Sequence, residues 1–174
     1  MGVNTSRLSQ PVRLADGHTY DDFSCGDLGV DSWLRERATK AERSGSARTF
    51  VVCDGSRVVA FYCLSNAIFS REELASAKQR RGVPSEVPAV LIGQLGVDRR
   101  YQRQKLGQHL LRDAMGRALH LSEHSGVVVM HLHASTEEAR AFYLHLDLGF
   151  VVSRSEPLTL YLPLETIRNA VLPE

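Results

Sequence analysis

The chain has 174 residues, 43% of them hydrophobic and 24% charged, with a formal net charge of +1; at roughly 100–200 residues per domain this predicts one domain, residues 1–174, and leaves no room for a two-domain enzyme. No apolar run approaches the ~18 residues that span a bilayer, so membrane spanning is excluded; the N-terminus shows no apolar h-region of a signal peptide, and the cytoplasm is the expected compartment. The cysteines, Cys25, Cys53 and Cys63, form no Cys-x-x-Cys pair, which argues against a disulfide framework or a thiolate zinc site and predicts buried reduced thiols.

Apolar residues at Val30, Trp33, Leu34, Ala38 and Ala41 recur at helical spacing and predict a helix over 28–43, ended by Ser44-Gly45-Ser46. Thr49–Cys53 and Val58–Leu64 are β-branched and aromatic on either side of Asp54-Gly55, the pattern of a hairpin. Ser70–Glu86 is polar and basic and reads as a short helix followed by a loop. Ala89–Val97 reads as a buried strand interrupted by Gly93 and Gly96, which mark a bulge or a place where something approaches the backbone closely. The polar loop Asp98–Lys105 then leads into a helix with one buried stripe, Leu106, Leu110, Leu111, Ala114, Met115, Ala118 and Leu121. Val127–His133 is a further strand. Ser135 followed by Glu138 reads as a capping box for a helix carrying Phe142 and Tyr143, and Gly149–Val152 and Leu158–Leu162 supply two more strands. This order predicts an α/β (α+β) chain with a mixed sheet flanked by helices.

Charge is unevenly distributed: residues 35–105 carry a net +7 between flanks of −3 each. The cations cluster at Lys78, Arg80 and Arg81 and again at Arg99, Arg100, Arg103 and Lys105, a pattern that fits either a polyanionic partner or scattered solvated charge. The seven histidines display no metal-ligand pattern, and no metal is expected.

A loop that enters a helix offers unpaired N–H groups at the positive end of the macrodipole, which suits a diphosphate. Here that loop is Gln102-Arg103-Gln104-Lys105-Leu106-Gly107, between Val97-Asp98 and Leu110-Leu111. It resembles the Gln/Arg-x-x-Gly-x-Gly/Ala loop of the GNAT acetyltransferases, with Lys105 in place of the first glycine. A helical conformation at position 105 would let that side chain point outward. Ala139-Arg140-Ala141-Phe142-Tyr143 with Gly149-Phe150 resembles a second element of the family, although five residues separate Tyr143 from Gly149 where the family has fewer. Phe23, Cys25-Gly26, Asp31, Trp33-Leu34, Arg48–Val52 and Val87–Asp98 extend the resemblance to the GNAT toxins of type II toxin–antitoxin modules, from about Val12 to Leu162.

That resemblance implies a GNAT fold, a central mixed and mostly antiparallel sheet of six to seven strands. It implies acetyl-CoA as co-substrate, the α-amine of aminoacyl-tRNA as acceptor, inhibition of translation, a ribbon-helix-helix antitoxin as partner and a homodimer, to which the apolar segment Leu162–Leu172 would contribute a seam. The cofactor would lie against Leu95, Gly96, Val97, Gln102, Arg103, Gln104, Lys105, Leu106, Gly107, Gln108 and Thr136. Tyr143 would be the catalytic acid, its reference pKa of about 10 lying near that of an alkyl thiol. Lys78, Arg80, Arg81, Arg99 and Arg100 would meet RNA phosphates.

The strand Val90–Val97 offers no carboxylate or histidine as a base. A lysine ε-amine, with a reference pKa of about 10.4, needs one more than an α-amine at roughly 7.7–8.0 does, so the strand leans toward an α-amino acceptor. Glu86, His131 and His133 remain candidates if the fold brings them in. Two other readings stay open: an acetyltransferase acting on a small amine or a protein N-terminus, and a non-catalytic RNA-binding module of the same fold.

Overall fold

The computed structural model describes residues 7–171; the opening segment before Arg7 and Leu172, the last apolar residue of the expected seam, lie outside them. In chain order the elements are β1 (Val12–Arg13), α1 (Leu28–Glu36), α2 (Ala38–Ser44), β2 (Arg48–Asp54), β3 (Arg57–Ser70), α3 (Ala77–Arg80), β4 (Glu86–Val97), α4 (Leu106–Ser122), β5 (Val129–His133), α5 (Glu137–His145), β6 (Val151–Val152), β7 (Thr159–Pro163) and α6 (Leu164–Val171). The strands make a seven-stranded sheet in the order β1-β2-β3-β4-β5-β7-β6. β4 and β5 run parallel, from Ala89 opposite Val129 to Ile92 opposite Leu132. The pairs β1–β2, β2–β3, β5–β7 and β6–β7 are antiparallel, which gives the mixed and mostly antiparallel sheet that the resemblance implied.

Two compact units divide the described chain: residues up to Ser65 with Gly93–Ala114, and Asn66–Ile92 with residues from Met115 onward. In the first, Thr49–Cys53 and Val58–Cys63 are buried without alternation, because both faces of these strands are covered. Phe61 lies at the centre of one layer, edge-on to Phe23 at 5.4 Å and parallel to Trp33 at 6.2 Å, with Leu34, Ala38 and Val51 around it. Phe50 stacks on Tyr62, whose hydroxyl donates to Asp113 on α4. In the second unit Phe69, Leu74, Val87, Ala89, Val129 and Tyr161 form the core. No described helix is long and apolar enough to cross a membrane.

Local chemistry explains the departures from the expected elements. The helix expected over 28–43 is two helices, broken at Arg37, whose φ of −115° leaves the α-helical range; its N–H still bonds Trp33 O, so the apolar stripe runs on across the break and hides it. Asp27 caps α1 through Gly29 and Val30 N–H. The capping box expected at Ser135 is not formed: Thr136 is the N-cap of α5 and accepts from Ala139 N–H. A true capping box stands instead at Ser76 and Gln79 on α3. Leu162, Leu164 and Ile167 of the tail are already buried within the chain, which leaves them unavailable to the expected dimer seam. Cys53 and Cys63 are buried and Cys25 is half-buried, all as free thiols. Burial pushes the Cys25 thiol up to about 12 and that of Cys63 to about 11, so neither is a reactive thiolate.

Candidate active site

In the first unit the loop from β4 to α4 is built around Asp98. Its carboxylate is buried and accepts from Arg100 N–H at 3.0 Å, Arg100 Nε at 2.9 Å and Nη2 at 3.0 Å, and Ser24 N–H at 3.3 Å. Burial alone would raise this carboxyl; the Arg100 guanidinium and the N–H donors outweigh it and hold the group below the usual carboxylate range. Arg100 also reaches Asp22 at 3.4 Å. Its guanidinium is thus engaged by two carboxylates and holds the loop, although the side chain remains 46% exposed. Tyr101 is buried and donates to Asp54 at 2.9 Å. Gln102 Nε2 donates to Cys25 O at 2.8 Å and to Val97 O at 2.9 Å. Its side chain thus ties the loop to the segment before α1 and to the end of β4.

With its start pinned, the loop turns sharply through two left-handed residues, Arg103 at φ 63° and Lys105 at φ 64°. The helical conformation expected at Lys105 is thereby corrected: the position has the backbone that a glycine adopts without cost, and lysine adopts it under strain. Both side chains are exposed. The first bond of the α4 ladder runs from His109 N–H to Lys105 O, so the N–H groups of Leu106, Gly107 and Gln108 precede it. α4 has no acidic residue in its first turn, where one would ordinarily neutralise the dipole. These three N–H groups, the dipole and two exposed cations suit a diphosphate such as that of coenzyme A. Gly96, expected to let a ligand approach, is instead filled from within. A Cβ there would stand 2.9 Å from Val30 Cγ1 and 3.3 Å from Cys25 Sγ.

The strain at Lys105 yields a measurable expectation. Lys105→Gly removes about 1 kcal/mol of left-handed strain, raising the unfolding temperature by roughly 2–4 °C for a chain of this size. Lys105→Ala keeps the strain and loses only the charge. Calorimetric unfolding of both variants separates the two effects: equal melting temperatures would remove the backbone from the account.

In the second unit Tyr143 lies on α5, edge-on to Phe142 at 5.3 Å and to Phe150 at 5.8 Å. The residue is half-buried, and desolvation pushes its phenol up to about 12, well above the reference value on which the match to a thiol rested. The extra residues between Tyr143 and Gly149 are absorbed by a left-handed Asp147 at φ 53° and by Gly149 at φ 95°. A Cβ on Gly149 would stand 2.6 Å from Thr166 Cγ2, so glycine is required by space as well as by dihedral. Thr136, expected at the cofactor, spends its hydroxyl on the α5 cap.

Among the expected RNA contacts, Lys78 and Arg81 are exposed on and just after α3, whereas Arg80 donates to Leu74 O. Arg99 is exposed and lies over Gly26, its Nε 3.4 Å from where a Cβ would be. Of the candidate bases, Glu86 is exposed at the start of β4, and His133 Nδ1 is bonded to Thr159 Oγ1 at 2.8 Å. His131 is buried with neither ring nitrogen partnered; burial, then the neighbouring His133, pushes it down to about 4. Sequence spacing alone did not single out one histidine grouping: among the described residues, His120, Glu123 and His124 bring their ligand atoms within 4.8 Å of one another.

Residues 18–150 match the acetyltransferase (GNAT) family. The chain belongs to that family. It is similar to a tRNA-acetylating toxin of Mycobacterium tuberculosis (strain ATCC 25618 / H37Rv), 39% identical over 95% of this chain and 98% of the relative. It is also similar to a probable toxin TacT of Sinorhizobium fredii (strain NBRC 101917 / NGR234), 28% identical over 96% and 98%. Among solved GNAT structures, a tyrosine-to-phenylalanine variant of KacT superposes with a TM-score of 0.88 at 25% identity, covering 94% of this chain and 99% of that one. AtaT complexed with acetyl-methionyl-tRNAfMet superposes with a TM-score of 0.86 at 25% identity, covering 94% and 98%.

Proposed function

We propose that this acetyltransferase moves the acetyl group of acetyl-CoA to the α-amine of an aminoacyl-tRNA and so stops translation, as the toxin of a module whose antitoxin is of the ribbon-helix-helix class. The observation that carries the reading is the end-to-end likeness to a tRNA-acetylating toxin. The open N-terminus of α4, with three N–H groups ahead of its ladder and no acid in its first turn, supports the cofactor half of it. In the proposed reaction the loop Arg103–Gln108 holds the diphosphate. The N–H of Leu95 or Val97 faces the developing oxyanion, a donor whose loss typically costs about 3–4 kcal/mol. The Tyr143 hydroxyl hydrogen-bonds the departing sulfur. No carboxylate is required as base, since a neutral α-amine is the nucleophile and water accepts its proton. The site of action is the cytoplasm, where charged tRNA is found, and the working form is a homodimer.

Labelled acetyl-CoA incubated with charged and uncharged tRNA, followed by mass analysis of the aminoacyl end, tests this reading. The expected product is the Nα-acetylated aminoacyl end on charged tRNA only. Faster labelling of a free amine or a protein N-terminus would replace the acceptor. Tight tRNA binding without any label would leave a binding module. Of the cations, the exposed Lys78 and Arg81 are the ones proposed to meet phosphates. Lys78→Ala with Arg81→Ala is expected to weaken tRNA binding and to flatten its dependence on log salt by about 0.7–0.9 for each phosphate no longer neutralised. KM for acetyl-CoA should stay unchanged. An unaltered salt slope would take these two residues out of the interface.

A further inference from the structure

We propose that His120, Glu123 and His124 form a binding site for a divalent transition metal ion of the zinc class at the C-terminal end of α4. In sequence they read His-x-x-Glu-His, a spacing of i, i+3 and i+4 that places all three on one side of a helical turn. The way the helix ends draws them closer. Glu123 N–H bonds His120 O at 3.2 Å and His124 N–H bonds Leu121 O at 3.0 Å, both three residues back, so the last turn tightens and residue i+3 comes to stand over residue i. His120 Nδ1 is 3.6 Å from Glu123 Oε2, the two imidazoles stand 5.4 Å apart at 74°, and one ligand atom from each residue lies within 4.8 Å of the others.

With bonds of about 2.0–2.1 Å, the ligand atoms of a tetrahedral zinc stand about 3.3 Å apart. The His120–Glu123 pair is near that separation already. The remaining closure is a rotation of side chains that are 76% and 64% exposed at His120 and Glu123, and His124 is exposed as well. Two imidazole nitrogens and one carboxylate oxygen form a donor set for zinc, copper, nickel or cobalt; calcium and magnesium, which take all-oxygen shells, are disfavoured. The position also places the ion at the negative end of the α4 dipole. Three protein ligands leave at least one coordination position for water or for a donor from an incoming molecule. Bound there, the ion cross-links the final turn of α4.

Titration calorimetry of the full, untagged chain with zinc chloride tests the site, together with visible absorption after adding cobalt(II). The expected result is one zinc per chain and cobalt d–d bands without a thiolate charge-transfer band. His120→Gln and His124→Gln should each weaken zinc binding by at least about tenfold, since loss of even an outer-shell partner costs about 10–100-fold. Both substitutions lie on exposed side chains, and circular dichroism checks that α4 persists. Acetyl transfer by either variant, assayed with a chelator present, should equal that of the unaltered protein, so this result is independent of the proposed acceptor. No saturable heat from the unaltered chain, or equal zinc affinity in both variants, overturns the site: the former leaves a solvated helix end only, the latter places the zinc elsewhere.

Discussion

Tyr143→Phe is expected to lower turnover by about 10²–10⁴-fold, the range that a positioned acid supplies, with the fold and the affinity for acetyl-CoA preserved. The aromatic ring is the part of the side chain that packs, edge-on to Phe142 and Phe150, and phenylalanine retains it. What is lost is a hydroxyl held at about 12 by desolvation. Such a phenol stays protonated throughout the range in which an α-amine with a reference pKa of roughly 7.7–8.0 loses its proton. The rate should therefore rise with pH as the acceptor deprotonates and then level off, with no fall from tyrosine ionisation up to about pH 10. A phenol so far above a thiol, which lies near 8.5 by the cysteine reference, stabilises the departing thiolate by hydrogen bonding more than by complete proton transfer. Single-turnover acetylation of charged tRNA, followed from about pH 6 to about 10, reads both features. Unchanged turnover in the variant would remove Tyr143 from the chemistry, and an alkaline fall near pH 9–10 would contradict the desolvated phenol.

Sequence legibility follows from where the determinants lie. Strands such as Phe50–Cys53 and Val58–Cys63 are covered on both faces, so their composition alone marks them. The stripe Leu110, Leu111, Ala114, Met115 and Ala118 marks α4 in the same way. The conformation of Lys105 was not legible, because it is imposed by tethers distant in sequence: Asp98 on Ser24, Gln102 on Cys25 and Tyr101 on Asp54. With those tethers in place, the loop enters α4 through the left-handed residues Arg103 and Lys105. Arg100 could not be separated from Arg99 for the same reason, since the difference is a buried carboxylate two residues upstream of one of them. The Ser135 capping signal failed against a neighbour with an equivalent hydroxyl, Thr136. Local rules do not choose between adjacent caps when tertiary packing fixes the helix start. The His120, Glu123 and His124 grouping does not show as a metal-ligand pattern in the sequence, because its convergence depends on a tightened final turn that periodicity does not reveal.

The second large effect concerns acid stability and rests on His131. This histidine lies between Leu91 of β4 and Tyr161 of β7 in the sheet register and is edge-on to Phe69 at 5.1 Å. It is 5% exposed, with both nitrogens unpartnered. Burial, and to a lesser degree His133, lowers its folded-state value to about 4, whereas in the unfolded chain it titrates near 6.5. Between these values the unfolded chain takes up a proton that the folded chain refuses, so stability falls as the pH falls, by about 1.4 kcal/mol per pH unit. Above about 6.5 the group contributes no slope. Carboxylates held low in the fold, Asp98 and Glu42 among them, add stability that is present above their unfolded value of about 4 and is lost only below it, so the two windows separate. Urea unfolding between about pH 7.5 and 4.5 should therefore show a one-proton slope in the unaltered chain and a flatter line in His131→Leu. At neutral pH the leucine variant should be at least as stable, because it replaces an unpaired buried imidazole, whose desolvation costs about 1–3 kcal/mol, with an apolar group of similar volume. A slope that survives in His131→Leu would assign the proton to another group.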